Sequence, residues 1–118
     1  MESKHSLIKS FRFAFNGLET AFKKGRNFRI QIFLGIAAII LGSIYKLNSF
    51  EWLSLILISA SVLILELINT AIESIVNIVS PEIRDEAKIA KDVSAASVLV
   101  ASIAAVFIGI VIFIPKFF

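Results

Sequence analysis

The sequence predicts an all-α integral membrane protein, with an N-terminal amphipathic surface helix followed by three transmembrane helices. Of its 118 residues, 58% are hydrophobic, whereas soluble domains average about 45–50% apolar residues. The apolar residues are concentrated in three long blocks that contain few or no charges. A chain this short cannot bury such blocks in a soluble core, so a lipid bilayer is their expected solvent.

The N-terminal segment predicts a surface helix over about residues 5–24. One helical face carries large apolar side chains three or four positions apart, at Leu7, Phe11, Phe15, Leu18 and Phe22. Lys and Arg fall largely on the other faces, and basic, Phe-rich amphipathic helices lie in the membrane interface. A helix packed on another helix is the alternative. The scattered charges also argue against a cleavable signal peptide.

Three spans are expected within one domain that covers residues 1–118, over about residues 28–47, 52–78 and 93–114. The first charge-free block, from about Ile30 to Tyr45, is short for a span, which needs about 20 residues, so the span is expected to include Phe28 and Leu47 at its ends. The second span contains four acidic or amide residues, Glu66, Asn69, Glu73 and Asn77, and is otherwise made of apolar residues with a few serines and one threonine. Pro81 and Pro115 are predicted to end the second and third spans, because proline cannot continue the helical hydrogen-bond ladder.

Basic residues in the short connections predict the orientation. Ten of them lie before the first span or between the second and third: Lys4, Lys9, Arg12, Lys23, Lys24, Arg26, Arg29, Arg84, Lys88 and Lys91. Lys46 and Lys116 are left for the opposite side. The N-terminus and the 79–92 connection are therefore predicted to be cytoplasmic. Because anionic headgroups explain these charges, no nucleic-acid partner is expected.

Small residues predict close helix packing in lipid. Ser97, Ala101, Ala105 and Gly109 recur every four positions on the third span, and Gly35 and Gly42 are candidates for the same role on the first. Three spans form a thin bundle with little interior, so a homo-oligomer is expected.

The polar residues of the second span carry the chemistry. Glu66, Asn69 and Glu73 share one helical face, and acidic groups inside a span are costly and usually functional. Carboxylates can hold a divalent cation or accept a hydroxyl proton, and Lys91 can neutralise phosphate charge. These are the components of phosphoryl transfer. A structural pair that holds helices together is the alternative.

Several other site types are excluded. The chain has no cysteine, which excludes thiolate metal sites and thiol nucleophiles. Its single histidine, His5, has no histidine partner. The Gly-rich phosphate loop and the protein-kinase motifs are also missing.

The motifs resemble those of the bacterial membrane-integral diacylglycerol kinase and undecaprenol kinase family. The resemblance is carried by the stretch from Glu66 to Glu73, by Ala90-Lys91-Asp92 and by Arg26-Asn-Phe-Arg29. It implies a homotrimer in the bacterial inner membrane, with active sites shared between subunits at the cytoplasmic boundary. It also implies ATP and Mg²⁺ as cosubstrate and cofactor, and a membrane lipid alcohol, diacylglycerol or undecaprenol, as acceptor.

The resemblance also implies residue roles. Glu66 would be the general base acting on the lipid hydroxyl, Asn69 would position it, and Glu73 would hold Mg²⁺. Nucleotide contacts are expected from Phe13, Glu73, Glu82, Arg84, Lys91 and Asp92. Lipid contacts are expected from Phe28, Arg29, Glu66 and Ala95.

Two departures from the family pattern leave alternatives open. Gly25 stands where the family has a second metal-binding glutamate, and Ile83-Arg84 replaces an aromatic and a histidine of some relatives. Gly25 therefore motivates a second hypothesis, a catalytically weakened relative that serves as a membrane assembly partner. A transporter that uses Glu66 as a proton site is a third, disfavoured because the outer part of the second span is apolar.

Overall fold

The architecture consists of helices joined by short turns. The computed structural model describes residues 4–82 and 84–118, apart from the side chains of Lys4 and His5. The helices are α1 (Lys4–Lys24), α2 (Arg26–Ile44), α3 (Ser49–Val79) and α4 (Asp85–Phe117). Three of them, α2, α3 and α4, are long and apolar enough to cross a membrane, which confirms the predicted fold class. Ile83 and the side chain of His5 lie outside the described part.

Helix length shows where the bundle extends beyond the bilayer. At 1.5 Å per residue, the 19 residues of α2 measure about 29 Å, close to the ~30 Å of the hydrocarbon core. The 31 residues of α3 and 33 of α4 measure about 46 and 50 Å. Since the three helices are aligned at the Tyr45 end, α3 and α4 project past α2 at the other end.

The turn between α2 and α3 is fixed by backbone and cap interactions. Lys46 adopts a left-handed conformation with φ 52°, and the Leu47 N–H donates to the Gly42 carbonyl at 3.1 Å, as in a Schellman motif. Asn48 then caps α3. Its side chain accepts from the Glu51 N–H at 2.8 Å, and the Glu51 carboxylate accepts from the Asn48 N–H at 3.0 Å.

The same end of the bundle contains the apolar core. Leu47, Leu55, Ile112 and Phe113 form a buried cluster there. The Lys116 ammonium lies 3.1 Å from the Glu51 carboxylate, and both side chains are about four-fifths covered. This pair ties the last turn of α4 to the first turn of α3.

Pro115 does not end α4, contrary to the sequence prediction. The helix continues to Phe117. A proline this close to a helix end removes one backbone donor without breaking a long hydrogen-bond ladder. The neighbouring Lys116 also holds the turn against Glu51. Pro81, by contrast, follows the end of α3 at Val79, as expected of a proline just beyond a helix.

The small residues contribute unequally to packing within the chain. Ala101 is buried, and a Cβ added to Gly42 would lie 2.8 Å from the Trp52 ring. A Cβ at Gly35 or Gly109 would meet no described atom within 4 Å. Gly42 is therefore required for the α2–α3 contact, whereas Gly35 and Gly109 face open space in the single chain.

Helix α1 leaves its aromatic face uncovered. Phe11 and Phe15 are 61% and 66% exposed, while Ala21 near the helix end is buried. The helix thus meets α2 and α3 through its small-residue side. This arrangement fits a helix whose rings lie in lipid better than one packed on another helix through those rings.

Candidate active site

Two of the predicted catalytic side chains are buried within the apolar bundle. Glu66 is 6% exposed and Asn69 is 7% exposed, and both lie on α3. Their spacing of three residues places them on one helical face, and that face turns toward the other helices. Burying a polar side chain among apolar ones costs free energy unless hydrogen bonds compensate. The hydrogen-bond partners of these two side chains are therefore described next.

Glu66 has a partner on α2. The Gln31 amide nitrogen donates a hydrogen bond to Glu66 Oε1 at 3.2 Å. Gln31 lies five residues from the start of α2 at Arg26, which is about 8 Å along the helix axis. The charge-free stretch of α2 begins at Ile30, so Gln31 and the Glu66 carboxylate lie near one end of that apolar stretch.

The helix register brings further residues to the same end of the bundle. The Glu51–Lys116 pair and the cluster of Leu55 with Ile112 show that α3 and α4 are antiparallel. In this register each residue of α3 lies opposite one residue of α4, with 51 opposite 116 and 55 opposite 112. Ser94 of α4 therefore lies at about the same height along the bundle as Glu73 of α3. Ser94 is 7% exposed. Three helices thus contribute polar groups to a polar layer that extends from the level of Glu66 to that of Glu73, about 10 Å along α3.

Three buried polar atoms in this layer have no hydrogen-bond partner among the described residues. They are Gln31 Oε1, Asn69 Oδ1 and Ser94 Oγ. Each such atom costs about 1–3 kcal/mol when it stays unpaired. An unsatisfied buried polar group in a native structure calls for an explanation. One such explanation is a bound ligand that supplies the missing hydrogen-bond partner.

Glu73 is the carboxylate that the family resemblance predicts to hold a metal. It is half-buried, and no other described residue donates to it or pairs with it. No group of three or more His, Cys, Asp or Glu is suited to a metal in residues 4–82 and 84–118. Magnesium fits this environment because it commonly takes one or two carboxylates and keeps phosphate oxygens and waters as its other ligands.

Gly25 leaves no room for a second carboxylate without a backbone change. From the Gln31–Glu66 pair, antiparallel counting along α2 and α3 brings Gly25 close to the level of Glu73. A Cβ at Gly25 would lie 2.7 Å from the Ala21 carbonyl oxygen and 3.2 Å from Phe28 Cβ. The chain is therefore locally adapted to glycine at this position.

The predicted nucleotide residues lie on α1 and α3, in the turn between α3 and α4, and in the first part of α4. Phe13, Glu82, Arg84 and Asp92 are exposed, and Lys91 is half-buried. Asp92 pairs with Lys88 one helical turn away, at 2.6 Å between Nζ and Oδ2. Within the described part of the chain, no side-chain hydrogen bond or ion pair joins two of the predicted site residues to each other.

The predicted lipid residues have different surroundings. Phe28 is 3% exposed and packs inside the chain. Arg29 donates to the carbonyls of Phe22 and Lys23, at 2.6 and 3.0 Å, and so satisfies the last turn of α1. Ala95 is exposed.

An apolar groove of about 590 Å³ runs between α1 and α3; its lining includes Leu67 and Thr70, which neighbour Glu66 along α3, but not Glu66 itself. It is lined by Ala14, Gly17, Leu18, Thr20, Ala21, Leu67, Thr70 and Ala71. The Thr70 hydroxyl donates to the Glu66 carbonyl at 3.0 Å, which satisfies that hydroxyl inside its own helix. The groove therefore presents a largely apolar wall along the part of α3 that carries Glu66.

Gln31 and Ser94 were not identified from the sequence. Gln31 is a single polar residue near the end of a span, and Ser94 lies among small residues, so neither belongs to a periodic polar pattern. Both become visible once helix packing shows which faces meet. The signal in the sequence that could have identified Gln31 is its amide side chain, which stands inside an otherwise apolar stretch of the first span.

Comparison with known proteins identifies the family. The sequence model of the prokaryotic diacylglycerol kinase family matches residues 12–113. A protein of Synechocystis sp. named diacylglycerol kinase is 45% identical over 111 residues, which are 93% of this chain. A Bacillus subtilis protein named undecaprenol kinase is 35% identical over 109 residues, 92% of this chain. A Haemophilus influenzae protein named diacylglycerol kinase is 34% identical over 97 residues.

The extent of these matches differs between relatives. The aligned region spans 63% of the Synechocystis protein, 89% of the Bacillus protein and 80% of the Haemophilus protein. Each relative is named as a kinase of a lipid alcohol, which lends no support to a role as an assembly partner without activity. The family match covers α2, α3 and nearly all of α4, together with the buried polar layer. The chain belongs to the prokaryotic diacylglycerol kinase family of membrane lipid kinases.

Proposed function

We propose that this chain transfers the γ-phosphoryl group of ATP to the hydroxyl of a membrane lipid alcohol. The observation that carries the proposal is the burial of Glu66, which is 6% exposed and accepts a hydrogen bond from Gln31 near the end of the apolar stretch of α2. At that depth a carboxylate can meet a lipid hydroxyl from the bilayer and a nucleotide from the water.

Glu66 acts as the general base. Its Oε1 accepts from Gln31, which leaves Oε2 to take the proton of the lipid hydroxyl. The hydroxyl oxygen then bonds to the γ-phosphorus, and the bond from that phosphorus to the bridging oxygen of ADP breaks. ADP leaves with the electron pair. Asn69, one turn away, positions the reacting groups through its unpaired Oδ1.

The nucleotide binds at the projecting ends of α3 and α4. Glu73 would hold Mg²⁺, which neutralises charge on the phosphates when bound. Lys91 contacts phosphate oxygens, and Asp92, Glu82, Arg84 and Phe13 border the nucleotide. All five lie on exposed or half-exposed surface near the turn between α3 and α4 or on α1, where a soluble cosubstrate has access.

The lipid alcohol reaches Glu66 along the groove between α1 and α3. The groove has an apolar lining suited to acyl or prenyl chains, and α1 presents its aromatic face to the same lipid layer. The Phe28–Arg29 corner and Ala95 border the path. Diacylglycerol and undecaprenol both present one primary hydroxyl, so the proposal concerns this class of alcohol.

The working protein is a homotrimer in the bacterial inner membrane, with its site on the cytoplasmic side. Support for self-association comes from the thin bundle, in which no large side chain of the described residues falls below 2% exposure. Support for the orientation comes from the basic residues around α1 and the turn between α3 and α4.

The test is a phosphoryl-transfer assay with purified protein in lipid bicelles, labelled ATP and each of the two alcohols. Glu66→Gln is expected to lower kcat by about 10²- to 10⁴-fold, the usual contribution of a general base. Glu19→Gln is the control, since it removes an exposed acid on α1 whose only ion pair among the described residues is the exposed one with Lys23. No transfer to either alcohol by the unmodified protein, or full activity of Glu66→Gln, would contradict the proposal.

A further inference from the structure

Gln31 combines two features that packing alone does not explain. Its amide nitrogen donates to the buried Glu66 carboxylate at 3.2 Å, whereas its Oε1 is buried without a partner among the described residues. An apolar side chain at this position would avoid the cost of burying an unpaired oxygen. The amide is retained in the layer where the structure concentrates its other unpaired polar atoms.

The chemistry of an amide suits a partner of a general base. A carboxylate in an apolar bundle has several side-chain rotamers, and a hydrogen bond from a neighbouring helix selects one of them. An amide does not titrate, so it cannot compete with Glu66 for the proton of the lipid hydroxyl. By holding Oε1, it directs Oε2 toward the incoming hydroxyl.

The other contacts of α2 indicate that Gln31 acts on Glu66 and is not needed to assemble the helices. Along α2, the other polar side chain of the apolar stretch is Ser43, whose hydroxyl donates to the Ile39 carbonyl within its own helix at 3.0 Å. Gln31 instead reaches across to α3. The α2–α3 hairpin is already fixed at its far end by the Gly42 turn and the Asn48 cap, so its assembly does not depend on this one bond.

We infer that Gln31 is a positioning residue that orients Glu66 for proton abstraction. The inference rests on the proposed function, because it assigns a partner to the base of that reaction. It predicts that loss of the amide lowers turnover and leaves nucleotide binding unchanged, since the nucleotide residues lie at the projecting ends of α3 and α4.

The experiment compares Gln31→Met, which keeps the side-chain length without a donor, with Gln31→His, which keeps an N–H donor. Gln31→Met is expected to lower kcat about tenfold to a hundredfold, as the loss of a hydrogen bond to a charged group implies. The KM for ATP is expected to stay the same, and Gln31→His to recover much of kcat. Ser43→Ala is the matched control on α2 and is expected to keep full activity.

The outcomes separate the inference from the proposed function. Unchanged kcat in Gln31→Met would overturn the inference, and so would a loss that Gln31→His does not recover or that appears in the KM for ATP. Either outcome at Gln31 leaves the proposed function in place, provided that the unmodified protein is active and Glu66→Gln is not. If the unmodified protein phosphorylates neither alcohol, the proposed function fails first.

Discussion

Alanine at Gly25 is expected to destabilise the protein, because the junction between α1 and α2 has no space for a Cβ. The added atom would lie 2.7 Å from the Ala21 carbonyl oxygen, a distance at which the backbone must move. The dihedral angles of Gly25, φ −98° and ψ 100°, are accessible to alanine, so the cost is steric. Overpacking of this kind costs typically about 1–3 kcal/mol.

The backbone at this junction has little freedom to relax. The Gly25 N–H donates to the Ala21 carbonyl at 2.8 Å, and the Gly25 carbonyl accepts from the Arg29 N–H at 3.1 Å. Moving the Cβ away from the Ala21 oxygen stretches the first of these bonds, which completes the last turn of α1. Arg29 also bonds the carbonyls of that turn, so the displacement would disturb its contacts as well.

Thermal or denaturant unfolding in detergent micelles measures this effect, with Gly35→Ala as the control. A Cβ at Gly35 meets no described atom within 4 Å, and glycine-to-alanine exchange inside a helix stabilises by about 0.5–1 kcal/mol. The two variants should therefore change stability in opposite directions. If Gly25→Ala is as stable as Gly35→Ala, the steric reasoning is refuted.

The same geometry decides what Gly25→Glu would do. Glutamate brings the Cβ clash together with a carboxylate near the level of Glu73, whereas Gly25→Gln brings the clash alone. A lower magnesium concentration for half-maximal activity in the glutamate variant than in the glutamine variant would indicate an added metal ligand. Equal magnesium dependence of the two variants would mean that the carboxylate does not reach the site.

Two further variants test the opposite end of the bundle by unfolding measurements. Gly42→Ala places a Cβ 2.8 Å from the Trp52 ring and is expected to lower the free energy of unfolding by about 1–3 kcal/mol. Adding Trp52→Phe is expected to recover part of this stability. No recovery would mean that the strain does not arise at the Trp52 ring. Asn48→Ala removes the cap of α3 and is expected to lower the free energy of unfolding by about 0.5–2 kcal/mol. Ser54→Ala removes only a side-chain hydrogen bond inside the helix and should lower it less. Equal losses of stability would contradict the capping role of Asn48.

The fold could be predicted from the sequence because its signals are local. Each span is a continuous apolar stretch, and the face of α1 follows the helical repeat. The ends were less predictable, since α4 includes Pro115 and continues to Phe117. That difference depends on the contact of Lys116 with Glu51, two residues far apart in the chain whose pairing no local pattern reveals.

The candidate site was predictable only in part, for a related reason. Glu66 and Asn69 share one face of one helix, so their spacing identified them and the structure buries both. Gln31 lies on a different helix, and its role depends on which faces of α2 and α3 meet. The lipid contact of Arg29 that the resemblance implies stays a prediction. The sequence did not reveal that its guanidinium donates to the carbonyls of Phe22 and Lys23, because that interaction depends on how α1 and α2 meet at Gly25.

The unpaired atoms distinguish a functional site from a structural polar pair. A pair that holds two helices together in lipid gains stability only when its donors and acceptors satisfy each other, because an unpaired group in hydrocarbon cancels the gain. Glu66 and Gln31 share one hydrogen bond, but Asn69 Oδ1, Gln31 Oε1 and Ser94 Oγ have no partner among the described residues. Helix association by itself would favour apolar side chains at these three positions. Their retention supports the proposed site, in which hydroxyl and phosphate groups of the substrates would supply the missing partners.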